Sequence, residues 1–393
     1  MKGLAVGSDV DRDMTIGAAR AGSAEMSGSK VNERAETGAA LGPFGACPLP
    51  IFEHPQIVLG HGSGGKLSAE LIEKVFVSRF RNPTLEKMDD QAVLDIGGAR
   101  LAFTTDSFVV TPIFFPGGDI GSLAVNGTVN DLAVGGAKPL YLAAAFILEE
   151  GLPAADLTRV VDSMALAADN AGVQLVTGDT KVVNRGKGDK VFITTTGIGL
   201  VDRGTRLSAD RARPGDRILL SGYIGDHGIT ILSQRENLEF ESALDSDCAA
   251  LHGLVEAMLD EAEAAGSIED VRVMRDPTRG GVATVLNEMA QRSRVGMVLR
   301  EREIPVREAV RGACEMLGLD PLYVANEGKL VAIVAPEIAE RVLAAMRRHP
   351  LGAESRMIGE VVEQHAGMVL MKTSVGGTRV VDVMFGEQLP RIC

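Results

Sequence analysis

The sequence predicts an α+β protein built from two mixed halves with a tail appended. Three observations carry this. Strand-like and helix-like runs alternate in both halves. A Pro-Gly-Asp turn signal near the middle restarts the pattern. After Phe385 only eight residues remain, and nothing regular lies among them. With 393 residues, 45% of them apolar, the chain is long enough for more than one core.

Residues 1–50 stand apart. Gly, Ala and Ser occupy 21 of those positions, with no sustained helical or alternating apolar pattern. This reads as a disordered, passive extension. Order is expected from Ile51. The run "SAELIEKVFVSRF" (68–80) places Leu71, Ile72, Val75, Phe76 and Phe80 at helical spacing. "ARLAFTTDSFVV" (99–110), "VQLVTGDTKVV" (173–183) and "KVFITTTGIGLV" (190–201) read as strands. Two helices are expected among them: "IGSLAVNGTVNDLAVGG" (120–136) and "AADLTRVVDSMALAADNAG" (154–172). The second carries Leu157, Val160, Val161, Met164 and Leu166, with Gly172 as its stop. A domain boundary falls near residue 208, before "ARPGDRILLSG" (212–222), so the first domain runs over 51–208 and the second over 209–385. The second half predicts a helix at "GGVATVLNEMAQRS" (280–293), a strand at "GKLVAIVAP" (328–336) and a helix at "PEIAERVLAAMRRHP" (336–350). Strands follow at "SRMIGEVV" (355–362) and "TRVVDVMF" (378–385). Residues 386–393 form the tail. Pro390 biases Leu389 towards an extended conformation, so a reachable arm is expected rather than a helix.

Composition excludes several classes. A formal net charge of −13 argues against nucleic acid or an anionic membrane as partner. Trp is absent and only 3 Tyr are present, so no aromatic platform for single strands is expected. The longest apolar run, "YLAAAFIL" (141–148), is too short for a bilayer. No charged-then-apolar leader pattern opens the chain. Cys47, Cys248, Cys314 and Cys393 lie far apart, neither a disulfide scaffold nor a Cys-x-x-Cys metal site. A reducing cytoplasm is the expected location.

Several motifs point to chemistry. "GHGSGGK" (60–66) has the spacing of a phosphate-binding loop, but Leu67 stands where a magnesium-holding hydroxyl belongs. Backbone N–H groups and Lys66 can still meet a phosphate there. Asp90, Asp106, Asp131 and Asp179 each flank an apolar strand or helix. Any one alone is an ordinary cap or turn residue. Four in one half is different, because Mg²⁺ with nucleotide phosphates needs a few convergent hard oxygen ligands, with water completing its shell. "MRDPTRGG" (274–281) joins Asp276 and Arg279 to a Gly-Gly helix start, a plausible anion site or simply a capped helix. Glu327 precedes a strand, and His227 is a lone histidine, more often structural than catalytic. Cys393 ends the chain. A terminal thiol is either an accident or a group on a tether, with its pKa raised by the adjacent carboxylate and offset by Arg391.

Together "HGSGGK", "TTDSFVVTPIFFPGG", "VNDLAVGGAKP", "FILEEGLP", "VTGDTKVV", "GDHG", "RDPTRGGV", "ANEGKL", "IGEVV" and the terminal "PRIC" resemble the HypE family, the carbamoyl dehydratases of NiFe-hydrogenase maturation. The resemblance runs from about Val58 to Cys393. It implies a two-domain PurM-like ATP-binding fold and a homodimer. It implies ATP and Mg²⁺ as cofactors, HypF as carbamoyl donor and a HypC–HypD complex as cyanide acceptor. It implies ATP contacts from Gly64, Gly65, Lys66, Asp106, Asn130, Asp179, Thr180 and Asp276. Asp90, Asp106, Asp131 and Asp179 would hold metal, and Cys393, Lys181, Glu327 and His227 would act in catalysis. In that chemistry Cys393 carries a carbamoyl group that ATP converts to thiocyanate. Two readings compete: a related ATP-dependent enzyme of the selenophosphate synthetase or small-molecule kinase type, and a non-catalytic scaffold that docks through its tail.

Overall fold

Of the two units into which the chain divides, Met1–Pro50 and Ile51–Cys393, the computed structural model describes residues only in the second: 56–236, 244–384 and 392–393. The expected disordered extension (1–50) and the tail residues 386–391, Pro390 and Arg391 included, lie outside the described residues.

A helical stretch comes first: α1 (Lys66–Leu71), a wide π turn (Ile72–Val77) and α2 (Ser78–Phe80). The helical spacing read from sequence is present, but its apolar face is not buried. Ile72, Val75, Phe76 and Phe80 are all exposed, with Phe76 and Phe80 stacked on each other.

The first sheet holds β1 (Ala92–Ile96), β2 (Ala99–Phe108), β5 (Lys138–Glu149), β6 (Gln174–Val183) and β7 (Val191–Leu200) in the order β1-β2-β7-β5-β6. All neighbours are antiparallel except the parallel pair β5–β6. A small hairpin, β3 (Phe114–Phe115) with β4 (Gly118–Asp119), leads into helix α3 (Ile120–Val134). The Asp119 side chain accepts from the N–H groups of Gly121 (2.7 Å) and Ser122 (3.0 Å), and Ser122 returns a bond to the Asp119 N–H. That capping box fixes where α3 begins. Helix α4 (Ala154–Ala171) packs on α3 through Val160, Met164, Ala167, Ala168 and Ala171, and Gly172 ends it at φ +65°. Val161 and Leu166, read as part of its apolar face, point to solvent.

β5 is the element the sequence concealed. Its run of Ala between larger apolar residues has neither period 2 nor period 3.6, and the sequence reading used it only to exclude a membrane span. It lies inside the sheet, between β7 and β6. Among the described residues no helix is long and apolar enough to cross a membrane.

The second sheet has seven strands. They are β8 (Arg217–Leu220), β9 (Val271–Arg275), β10 (Gly296–Arg300), β11 (Val331–Val334), β12 (Arg356–Val362), β13 (Val369–Lys372) and β14 (Thr378–Val381). Their order is β14-β13-β10-β12-β8-β11-β9. Helix α7 (Gly281–Ser293) covers one face, burying Val282, Leu286 and Met289 against Ile218, Val273 and Ile333. Helices α6 (His252–Ala264) and α9 (Pro336–Arg348) cover the other, around Leu219, Met274 and Ala332. Helices α5 (Asp226–Glu236) and α8 (Glu308–Leu317) flank this core. The last predicted strand (378–385) is shorter than expected, closing at Val381.

Two close approaches lock the site-bearing loops together. A Cβ on Gly328 would stand 1.8 Å from the Asp247 carbonyl oxygen, so only glycine lets loop 325–328 rest on segment 247–249. A Cβ on Gly127 would stand 2.8 Å from the Phe108 ring, so only glycine lets α3 press against the end of β2.

Candidate active site

The site begins where the acids of the first half meet loops of the second. Asp106 lies on β2 and Asp131 on α3, brought together by the Gly127 contact. The Thr104 hydroxyl sits 2.8 Å from Asp131 Oδ2 and 2.9 Å from the Asp90 carbonyl. From the second half come Arg275, at the end of β9, and Asp276 beyond it. Arg275 Nε lies 3.1 Å from Asp90 Oδ1, and its Nη2 lies 2.8 Å from Glu288. Asp90 Oδ2 is buried with no hydrogen-bond partner among the described residues.

These carboxyls raise one another's pKa. Burial lifts Asp131 well above the usual range, and Asp276, Asp106 and Asp90 lift it further. Burial likewise lifts Asp90 against the pull of Arg275. Burial raises Asp106, offset by Arg279 and the Ser107 N–H. Burial, with Asp106 nearby, pushes Asp276 up to about 6. A cluster that resists its own charge, with an orphaned oxygen at Asp90, suits a divalent cation. Yet among the described residues no three His, Cys, Asp or Glu side chains stand together as a ready cage. Asp90, Asp106, Asp131 and Asp276 therefore fit a cation that takes part of its shell from phosphate oxygens or water.

Glu327 faces this cluster. Asn326 holds its loop: the side chain accepts from Gly225 N–H (2.8 Å) and donates to the Pro277 carbonyl (2.9 Å). The Glu327 N–H donates to Asp247 Oδ1 (3.0 Å), and Asp247 pairs with Lys329 at 3.1 Å. Glu327 Oε1 is buried without a partner among the described residues. Burial raises the Glu327 pKa well above the ordinary range, with Asp276, Asp247 and Asp106 adding and Arg279 opposing. Cys248 lies alongside, its thiol taking the Asn126 amide at 3.4 Å and pushed up to about 12 by burial. Burial thus favours its neutral thiol form over the thiolate that a nucleophile requires.

The chain's end enters here. Ile392 makes an antiparallel bridge with Val110 and is 5% exposed. Val109 N–H donates to Cys393 O at 3.0 Å. His227 Nε2 lies 2.5 Å from the Ile392 carbonyl. The Cys393 thiol lies beside the Glu327 carboxyl, with Arg279 close by. Burial pushes the thiol up, Glu327 and Asp106 push it further, and Arg279 pulls it down. The sequence reading named the terminal carboxylate and Arg391 as the influences on this thiol. Burial and the groups of the pocket are the larger ones.

The structure gathers Cys393, Glu327, Asp106, Asp131, Asp90 and Asp276. It does not gather all that was expected. Asp179, Thr180 and Lys181 lie on exposed β6, where Lys181 Nζ pairs with Asp179 (2.7 Å) and Asp179 also takes the Thr180 N–H (2.8 Å). The strand register runs Asp106–Thr195–Ala144–Gly178, so Asp179 is three strands away, about 14 Å, and on the other face. Within one chain Asp179 is not a fourth member of the acid cluster. Lys66 pairs with Asp382 (2.9 Å) on the surface rather than facing the acids. Gly64, at φ +79°, packs against Arg279, where a Cβ would come within 2.8 Å, while Gly65 precedes α1. Asn130 has its amide committed to protein: Nδ2 to the Ala249 (3.0 Å) and Glu327 (3.3 Å) carbonyls, Oδ1 to Leu251 N–H (2.7 Å). It braces Glu327 instead of offering its side chain to a nucleotide. His227 turns both ring nitrogens to protein atoms. Sequence reasoning missed Arg275, Asn326, Asp247 and Lys329 as parts of the site. Arg275 and Asn326 adjoin Asp276 and Glu327, so adjacency was the available signal. Asp247 had none.

The two layered α+β halves and the acid-lined pocket between them define a class, the AIR synthase related proteins. Residues 88–201 match the AIR synthase related N-terminal domain, and 213–372 match the corresponding C-terminal domain. Within that class the chain belongs to the HypE family of carbamoyl dehydratases. It is 61% identical over 333 residues to carbamoyl dehydratase HypE of Azotobacter vinelandii, covering 85% of this chain and 96% of that one. A solved HypE in complex with ATP superposes at TM-score 0.71 with 52% identity, over 86% of this chain and all of that one. A HypE from a HypE–HypF complex superposes at TM-score 0.75 with 48% identity, over 80% and 99%. The selenophosphate synthetase, small-molecule kinase and scaffold readings are not favoured by relatives this close.

Proposed function

We propose that the chain is an ATP-dependent carbamoyl dehydratase whose substrate is carried on Cys393. The observation that carries this reading is the contact of the terminal thiol with a buried carboxyl, Glu327, inside a pocket of acids and one arginine.

The docked thiol is protonated and poorly nucleophilic, because burial and Glu327 both favour S–H. Carbamoyl acceptance therefore belongs to the undocked tail, at a donor protein. HypF is the donor class indicated by the solved HypE–HypF complex. Once carbamoylated, sulfur has no proton, and the carboxamide N–H takes its place beside Glu327. The carboxamide oxygen then attacks the ATP γ-phosphate, ADP leaves, and the oxygen departs as phosphate while both nitrogen protons are lost. The products are a Cys393 thiocyanate, ADP, phosphate and a proton. Glu327, with its raised pKa, is the base for the nitrogen proton. Arg279 stabilises negative charge at the sulfur side and on the transferring phosphoryl group. A divalent cation held by Asp90, Asp106, Asp131 and Asp276 would neutralise and orient the phosphates when bound.

Asp179 and Lys181 belong to this function through a second copy. They share the outer face of the first sheet with exposed Phe103, Tyr141, Ile147 and Ile198. An apolar sheet face bearing a charged pair is suited to a homodimer. The partner's pocket would then receive Lys181 near phosphate. The cytoplasm, and a HypC–HypD complex as acceptor of the cyanide, complete the reading.

The test is intact-mass spectrometry with a HypF donor system, ATP and Mg²⁺. Wild type gains a carbamoyl increment and then loses water, whereas Cys393→Ala gains none. A carbamoyl adduct on the variant would refute the carrier role.

A further inference from the structure

We propose that His227 is the latch that holds the tail in the pocket, a positioning residue and not an acid or base. This rests on Cys393 being the carrier. The carbonyl of Ile392 can only accept, so His227 Nε2 carries the proton and donates to it. The other nitrogen, Nδ1, is then a lone pair, and it accepts from Ser246 Oγ–H at 2.8 Å. Ser246 Oγ in turn accepts from the Cys248 N–H at 3.1 Å, and the Ser246 N–H is anchored to the Pro116 carbonyl at 2.9 Å. The ring stands edge-on to Phe115, centroids 5.6 Å apart at 85°. His227 is 0% exposed. Every polar atom of the imidazole is thus committed, in a single tautomer, along one chain: Cys248 N–H to Ser246, Ser246 to His227, His227 to the tail backbone. None of them points at Glu327 or the thiol.

The recognised group is a backbone carbonyl one residue before the thiol. The latch therefore acts on docked tail with or without cargo. Val109 N–H holds residue 393 beyond it, so Ile392 and Cys393 are gripped from two sides. The arrangement separates two demands. The pocket chemistry handles the cargo, and His227 sets how often the tail is in.

The experiment uses the full chain with His227→Leu, His227→Gln and Ser246→Ala. Iodoacetamide labelling of Cys393, resolved at the C-terminal peptide, reads tail release without any ligand. Loss of one buried hydrogen bond corresponds to roughly three- to tenfold. His227→Leu is expected to speed labelling by that factor and to slow single-turnover dehydration of a preformed adduct by a similar one. Adduct formation with the donor, which needs the undocked tail, is not slowed, and the KM for ATP stays unchanged. His227→Gln, which keeps an N–H donor, restores part of both effects, and Ser246→Ala gives a smaller release in an otherwise folded protein. Unchanged labelling in folded His227→Leu overturns the proposal. So does slowed dehydration with unchanged labelling, which would make His227 a group of the reaction itself. If wild type forms no adduct, the carrier reading fails, while the labelling arm still decides the latch.

Discussion

Asp276 is a carboxyl that the fold keeps at a cost. Its pKa rises from 3.8 to about 6 through burial, with Asp106 adding. The folded protein then binds this proton more tightly than the unfolded chain does, so stability falls as pH rises from about 4 to about 6 and stays reduced above that. Asp276→Asn is therefore expected to raise the melting temperature at pH 7.5, without nucleotide or divalent cation, while abolishing ATP turnover. The gain should shrink to about a third at pH 4.5, because the unfolded carboxyl is still largely ionised there. Thermal unfolding at both pH values checks this, and an equal gain at both would contradict the linkage. Sites that concentrate like charge trade stability for function in this way. Much of this scale was legible in the sequence. Asp106 and Asp131 stood out as acids beside apolar runs, while Glu327 drew notice only through the family resemblance. Asn130 misled, because an amide that braces a loop and an amide that meets a nucleotide look alike in one sequence.

At the scale of elements, loops carry the chemistry and glycines decide whether the loops meet. Loop 325–328 is expected to fail if Gly328 becomes alanine, because the added Cβ falls 1.8 Å from the Asp247 oxygen. Overpacking of this kind costs about 1–3 kcal/mol. The loop must also shift, taking Glu327 from the thiol. Gly328→Ala should lower the urea midpoint and slow dehydration more than it slows carbamoyl acceptance. Unchanged dehydration by mass spectrometry would show that Glu327 is not held by this contact. Helices α3, α4, α7 and α9 and strands β2, β6, β7, β11 and β12 were readable from periodicity and stop signals. β5 was not, since alanine-rich sequence suits strand and helix alike until neighbours pair with it. The exposure of the apolar face of α1 and α2 was not legible for a related reason. Period predicts helix, but only packing decides whether the apolar face is covered.

At the scale of the whole molecule, the proposed homodimer would bring a second copy's strand to the site. Lys181 and Asp179 lie on the exposed sheet face, Asp179 about 14 Å from Asp106 and Lys181 two residues further along the strand. A homodimer through that face predicts complementation between damaged copies. Lys181→Ala and Cys393→Ala homodimers should each be inactive in dehydration. Mixed dimers should recover activity in the one pocket that has both an intact tail and an intact partner strand. Single-turnover assay of tagged, co-purified mixed dimers measures this. No recovery, with dimers present by sedimentation, would assign Lys181 to its own chain's pocket.

The sequence by itself determined the elements with clear period, the acids and, through its motifs, the family. Those are local properties, set by residue type and spacing. Only the tertiary structure decided that Glu327 faces Cys393, that Arg279 faces them both, and that Asp179 does not join the acid cluster. Burial, strand register and the close approach of backbones at glycine made those choices. Each is a relation between segments far apart along the chain, which local spacing cannot express.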